Sequence, residues 1–250
     1  MTPHSHPLAA RLHGLYAILD PAAVPAIRVA PDRVGATLGV AGRGEGEAHP
    51  PGGGGGATDA RDRLLHIAHE ALAGGARLFQ YRDKTRDKGE QFAIAAALQA
   101  LCRQHGALFF INDHADIALA IEADGVHLGR RDLPVAAVRK IVPATMLIGA
   151  STNNLDEARR AVADAADYVS VGRLFPTESK TDTRPATLEM LHAIKSAVPV
   201  PVCAIGGINE SNIGAVIDTG ADMADVISAI GAADDVREAT RRLVDRYDTA

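Results

Sequence analysis

The chain has 250 residues, 47% of them hydrophobic and 23% charged, with a formal net charge of −5. That is an ordinary globular composition, long enough for one large α/β domain, and its acidity argues against a general nucleic-acid-binding surface. No apolar run approaches the ~20 residues of a membrane span, and no C-x-x-C or H-E-x-x-H pattern supports a zinc site.

Residues 1–12 are expected to be flexible, and their opening M-T-P-H-S-H-P lacks the charged and apolar regions of a signal peptide. A cytoplasmic protein is expected, with Cys102 and Cys203 as separate core thiols. Residues 15–19 read as a short apolar strand ending at Asp20. A Gly/Pro-rich insertion follows over 21–58, with the run G-G-G-G-G at 52–56. At least 41–57 is expected to be disordered, because it cannot bury enough apolar surface to offset its ordering entropy. A lid is an open alternative, but glycine runs favour a passive insertion.

From Asp59 the chain becomes regular. Helical periodicity covers 61–73, 87–105, 115–120, 133–142, 155–165, 187–197, 209–218 and 236–247. Short apolar strands alternate with these at 77–81, 108–111, 125–128, 146–150, 168–171, 200–205 and 222–227. With the first strand this makes eight near-continuous apolar strands between amphipathic helices, the sign of a parallel sheet covered on its outer face. The expected fold is a single-domain (β/α)8 TIM barrel spanning 1–250, with ligands at the carboxyl ends of the strands.

The organising stretch is F-F-I-N-D-H-A-D-I-A-L-A-I-E-A-D-G-V-H-L-G-R-R-D, residues 109–132. It places Asp113 and Asp132 just past two neighbouring strands, with Asn112 beside the first. Such oxygen donors suit a hard divalent cation. Helix capping is the alternative, since each carboxylate precedes a helical segment.

Other strand ends add anion-binding chemistry. Gln80, Arg82 and Lys84 share a direction if the extended path continues, and two cations there would grip a polyanion. A surface salt-bridge cluster with Asp83 and Asp87 is the alternative. Gly149 to Thr152 and the loop R-L-F-P-T-E-S-K-T at 173–181 bring small residues, hydroxyls and Lys180. Gly206-Gly207 and Ser228 follow the last two strands, where barrels of this kind often hold a phosphate; tight-turn geometry alone is the alternative. His127 lies inside a strand, either facing a ligand or packed in a hydrogen bond. With no Ser–His–Asp or Cys–His pattern, the chemistry rests on charge stabilisation. A substitution in which diphosphate leaves and a phosphate-bearing partner attacks fits these parts.

Seven segments in order, L-Y-A-I-L-D, F-Q-Y-R-D-K, I-N-D-H-A-D, D-G-V-H-L-G-R-R-D, I-G-A-S-T, V-G-R-L-F-P-T-E-S-K and A-I-G-G-I, resemble the thiamine-phosphate synthase family. The resemblance covers 15–20 and then 59 to the C-terminus. It implies small-molecule substrates: 4-amino-2-methyl-5-hydroxymethylpyrimidine diphosphate joins a thiazole monophosphate, giving thiamine phosphate and diphosphate. It implies that Gln80, Arg82, Lys84 and Asn112 hold the pyrimidine diphosphate, that Asp113 and Asp132 bind Mg2+, and that Ser151 and Lys180 contact the diphosphate. Thr177, Ser179, Gly207 and Ser228 would hold the thiazole phosphate, with His127 and Ile227 also in the substrate-binding set. Catalytic roles fall to Lys180, Arg82 and Ser151. Arg130 departs from the family's usual Gln, Ser179 from its commoner Thr, and the insertion lies outside the pattern. A thiazole tautomerase of the same fold would not need Lys84, Asn112, Asp113, Asp132 and Lys180 together; a non-catalytic phosphate sensor would bind without turnover. A homo-oligomer is an open possibility that the sequence does not address.

Overall fold

Each apolar run bounded by turn residues becomes a strand: β1 (Gly14–Leu19), β2 (Leu78–Tyr81), β3 (Leu108–Asn112), β4 (Gly125–Leu128), β5 (Leu147–Thr152), β6 (Tyr168–Gly172), β7 (Val202–Ile205) and β8 (Met223–Val226). The computed structural model describes residues 6–23, 60–177 and 184–249. Most of the expected insertion, from 24 to 58, and its expected disorder lie outside the described residues. The strands pair in sequence order and in parallel, and β8 closes on β1 with Tyr16 opposite Asp225. The expected (β/α)8 barrel is therefore present.

The helices cover the barrel: α1 (Ala60–Ala73), α2 (Lys88–Gln104), α3 (Ala115–Ala120), α4 (Val135–Val138), α5 (Leu155–Ala163), α6 (Leu188–Ala197), α7 (Ile213–Ile217), α8 (Ser228–Gly231) and α9 (Val236–Asp248). Asp87, Asn154, Thr187 and Asp235 cap α2, α5, α6 and α9, each side chain accepting from a backbone N–H three residues on.

Three elements differ from the sequence reading. The helix expected over 133–142 is only α4, a single turn after Pro134. The helix expected from Asn209 begins at Ile213. Asn212 Oδ1 accepts from the Asn209 N–H at 2.9 Å and Asn209 Oδ1 from the Ser211 N–H at 2.9 Å. These side chains satisfy the backbone in a turn rather than a helix. The eighth strand stops at Val226, and the residues after it form the short α8.

Period-two alternation sorts the strand residues into two cores. Phe79, Ile111, Ile148 and Val169 face outward into the layer shared with Leu64, Leu98, Ile194 and Leu243 of the helices. Tyr16, Leu78, Phe110, Leu147, Tyr168 and Met223 fill the barrel interior. Two aromatic rings fit there because neighbouring strands carry glycine. A Cβ on Gly125 would lie 2.3 Å from the Phe110 ring, and one on Gly149 would lie 2.1 Å from the Tyr168 ring. Inward positions nearer the carboxyl ends are polar: Gln80, Asn112, His127, Ser170 and Asp225 are all buried. The interior thus changes from apolar at its base to polar at the mouth.

Residues 6–12, expected to be flexible, instead sit at the apolar base. Leu12 is buried in the interior cluster and Leu8 packs against it. The reason is burial: closing the barrel base removes Leu12 and part of Leu8 from water.

Candidate active site

At the carboxyl end of the barrel lies a cavity of about 380 Å³ lined by residues from several strand ends, including Arg82, Lys84, Asn112, Asp113, Asp132 and Ser151. A smaller cavity of about 20 Å³ adjoins it, lined by Gly207, Ile227, Ser228 and the buried Asp225. Thr177, Ile205 and Gly206 line both. The structure therefore brings most of the expected site residues into two adjoining spaces. Ser179 and Lys180 lie outside the described residues.

Neither Asp113 nor Asp132 caps a helix. The N-cap of α3 is His114 and that of α4 is Pro134. Asp113 has a left-handed backbone, φ 65, a conformation that Asp tolerates better than most residues and that clusters at functional sites. Its N–H donates to the His127 carbonyl at 2.8 Å, tying the end of β3 to β4. The two carboxyl groups are close enough to perturb each other, and Asp132 Oδ2 accepts from the Gly129 N–H at 2.7 Å. Burial and then the Asp113 carboxylate push Asp132 up to about 6. Burial would raise Asp113 as well, but the bonds from Asp132 and Lys84 hold it below the usual carboxylate range. Two acids this close make one of them hold its proton to a higher pH because their negative charges repel.

The alternative, a salt-bridge cluster of Arg82 and Lys84 with Asp83 and Asp87, does not form. Arg82 pairs with the buried Asp20 at the end of β1, and Lys84 pairs with Asp113. Asp83 instead pairs with Arg86, and Asp87 caps α2. Asp20 holds the Arg82 guanidinium at the mouth. Gln80 does not line the mouth with Arg82 and Lys84. It lies one layer below, 2% exposed, where Nε2 donates to the Tyr16 hydroxyl at 3.0 Å. Its Oε1 has no hydrogen-bond partner among the described residues.

His127 is packed and hydrogen-bonded, and it also reaches the cavity wall. Nδ1 lies 2.9 Å from the Tyr168 hydroxyl and Nε2 lies 2.9 Å from Ser151 Oγ. Tyr168 in turn lies 3.0 Å from the Tyr16 hydroxyl. A buried chain thus runs from Gln80 through Tyr16, Tyr168 and His127 to Ser151. Burial drives both tyrosines well above the ordinary phenol value, so they remain neutral. Burial likewise pushes the Cys102 thiol up, which leaves it inert.

Several residues at the mouth escaped the sequence reading. Asn153 Nδ2 donates to the carbonyls of Gly172 and Arg184 at 3.0 Å each, joining both feet of the loop after β6. Arg184 pairs with Glu157 through one nitrogen at 2.7 Å from each carboxylate oxygen. Arg131 and Arg173 also line the larger cavity. Asn153 directly precedes Asn154, the N-cap of α5; Arg131 and Arg173 lie inside two of the seven segments that carry the resemblance, with no role assigned there, and Arg184 lies in none of them.

The comparisons with known proteins agree with this geometry. The model of the thiamine monophosphate synthase family matches residues 56–230. The chain belongs to that family. It is 45% identical over 182 residues to the thiamine-phosphate synthase of Methanospirillum hungatei, covering 72% of this chain and 88% of that protein. It is 47% identical over 189 residues to the thiamine-phosphate synthase of Thermosynechococcus vestitus, a longer protein of which the match covers 54%. In structure it is similar to thiamine phosphate pyrophosphorylase from Pyrococcus furiosus, with a TM-score of 0.73 and 35% identity over 95% of this chain and 96% of that one. As a member of the thiamine monophosphate synthase family the chain is an enzyme of thiamine biosynthesis, a transferase acting on small molecules. Among the described residues no helix is long and apolar enough to cross a membrane.

Proposed function

We propose that this enzyme couples 4-amino-2-methyl-5-hydroxymethylpyrimidine diphosphate with 4-methyl-5-(2-phosphooxyethyl)thiazole, releasing diphosphate and forming thiamine phosphate. The observation that carries this reading is the pair of adjoining cavities. The larger has cations and paired carboxylates, suited to a diphosphate. The smaller has Gly207, Ser228 and Thr177, suited to one phosphate. Substrates in the two spaces would meet across the wall that both share, which brings the reacting atoms together.

Mg2+ fits the carboxylate pair. The donors are oxygens, the two acids converge, and the repulsion that raises Asp132 marks a position where a cation would be favourable. Asp113 and Asp132 would hold the ion, with diphosphate and water completing the coordination that Mg2+ prefers. Bound there, it would neutralise charge on the departing diphosphate. Arg82, fixed by Asp20, and Lys84 would bind the diphosphate oxygens by charge-assisted hydrogen bonds. Ser151, held by His127, would add a neutral hydrogen bond. Lys180 would neutralise charge on the leaving group. In the reaction the carbon–oxygen bond to diphosphate breaks and its electron pair leaves with the diphosphate. The electron-rich aminopyrimidine stabilises the methylene cation, and the thiazole nitrogen lone pair forms the new carbon–nitrogen bond. No protein nucleophile is required.

The test is diphosphate release by the purified protein, with both substrates present, in Mg2+ or in EDTA. Release that needs both substrates and the metal supports this reading. Binding of thiazole phosphate without any release would replace it with an isomerase or a sensor.

A further inference from the structure

The smaller cavity presents an electrostatic problem. Its described lining has hydroxyls and backbone groups, a buried carboxylate at Asp225, and no cation. A phosphate in that space would gain from a positive charge nearby. The cations of the larger cavity are mostly engaged: Arg82 with Asp20, Lys84 with Asp113, and Arg184 with Glu157. Arg130 sits beside the carboxylate pair, on the loop after β4.

Arg173 differs from the three paired cations in its partners and from Arg130 in its place. It lines the larger cavity, and its side-chain stem lies against Gly206, which lines both cavities. A Cβ on Gly206 would come within 3.0 Å of the Arg173 Cβ and Cγ atoms. Among the described residues its guanidinium has no hydrogen-bond or ion-pair partner. Its backbone is fixed on both sides: its N–H donates to the Arg184 carbonyl at 3.0 Å and its carbonyl accepts from Ala186 at 2.8 Å. The next two residues donate to Ile205 and Gly206, each at 3.0 Å. The segment is thus clamped onto the end of β7, so the side chain starts from a fixed point on the shared wall.

We propose that Arg173 is a specificity-determining residue that selects the phosphate-bearing thiazole, supplying from beside Gly206 a cation that the described lining of the smaller cavity does not contain. This deepens the two-substrate reading above and rests on it. The cation would also offset the repulsion between two anionic substrates held in adjoining spaces, which a site of dipoles and hydroxyls alone would do weakly.

The experiment compares wild type, Arg173→Ala and Arg173→Lys in steady-state diphosphate release. Saturating pyrimidine diphosphate and Mg2+ are present, and the thiazole is supplied either as its phosphate or as the free alcohol. Arg173→Ala should raise KM for thiazole phosphate about tenfold or more, as expected for a lost charge-assisted contact, with kcat within about threefold. KM for the alcohol should stay unchanged. Arg173→Lys should recover most of the loss, because it keeps the charge, and melting curves check that each variant folds. An unchanged KM for thiazole phosphate in Arg173→Ala, or equal rises for both thiazoles, overturns the proposal. If wild type releases no diphosphate, the two-substrate reading has failed instead. Calorimetric titration with inorganic phosphate then decides the role of Arg173: binding lost in Arg173→Ala supports it, and equal binding overturns it. Should the alanine variant fail to fold, Arg173→Gln carries the same comparison.

Discussion

Tyr168→Phe removes one hydroxyl from the centre of the barrel. That hydroxyl is buried, 3.0 Å from the Tyr16 hydroxyl and 2.9 Å from His127 Nδ1. Deleting it loses two hydrogen bonds at about 1 kcal/mol net each, and withdraws a partner from a buried imidazole nitrogen for up to about 1 kcal/mol more. Tyr16 keeps the bond donated by Gln80, so the damage stops there. The sum is about 2–3 kcal/mol. In a domain of this size each kcal/mol moves the melting temperature by about 2–4 °C, giving a fall of about 4–12 °C. Thermal unfolding of the variant beside wild type, at one pH and concentration, measures it. Tyr16→Phe and the double variant add a second signature. The two tyrosines share one bond, so the double variant should cost about 1 kcal/mol less than the sum of the singles. A melting temperature within about 1 °C of wild type, with additive costs, would refute the idea that this chain of hydrogen bonds holds the barrel interior.

Asp83 predicts acid sensitivity. Burial alone would raise its carboxyl, but the Thr85 amide, the Arg86 guanidinium and the Thr85 and Tyr81 hydroxyls hold it at about 2, against an ordinary 3.8. A folded value below the unfolded one means stability present at neutral pH and lost as pH falls from about 4 through about 2. Asp83→Asn should therefore melt below wild type at pH 7 and converge with it in acid; a gap that is constant with pH would contradict this. Asp132→Asn should lower Mg2+-dependent diphosphate release by about 100-fold or more, while the metal-free protein melts no lower than wild type because two crowded carboxylates become one. Release unaffected by the substitution would remove Asp132 from the metal site. Lys180→Ala should cut turnover by about 100-fold while leaving substrate binding nearly intact, and turnover surviving within about threefold would exclude a leaving-group role.

The elements and the edge of the barrel that carries the site were legible in the sequence, because both depend on local pattern. Apolar runs such as 108–111 with turn residues after them specify a strand and its carboxyl end, and the carboxylates of the organising stretch follow from their position just past two such ends. The same locality explains the errors. Alternation placed Gln80, Arg82 and Lys84 on one side, but the strand ends at Tyr81, and depth along the barrel axis separates Gln80 from the other two.

What only the tertiary structure decided are the partnerships between residues far apart in the chain. Asp20 meets Arg82, Lys84 meets Asp113, and Asn153 ties Gly172 to Arg184. Tyr16 meets Tyr168 across 152 positions. No local propensity encodes these pairs. They exist because closing eight staggered strands brings alternate inward side chains into one interior, where buried polar groups must find one another or lose their hydrogen bonds to water. The sequence determined that cations, carboxylates and hydroxyls would gather at one mouth; closure of the barrel determined which cations there are held by a carboxylate and that Arg173 lies against Gly206 with no such partner among the described residues.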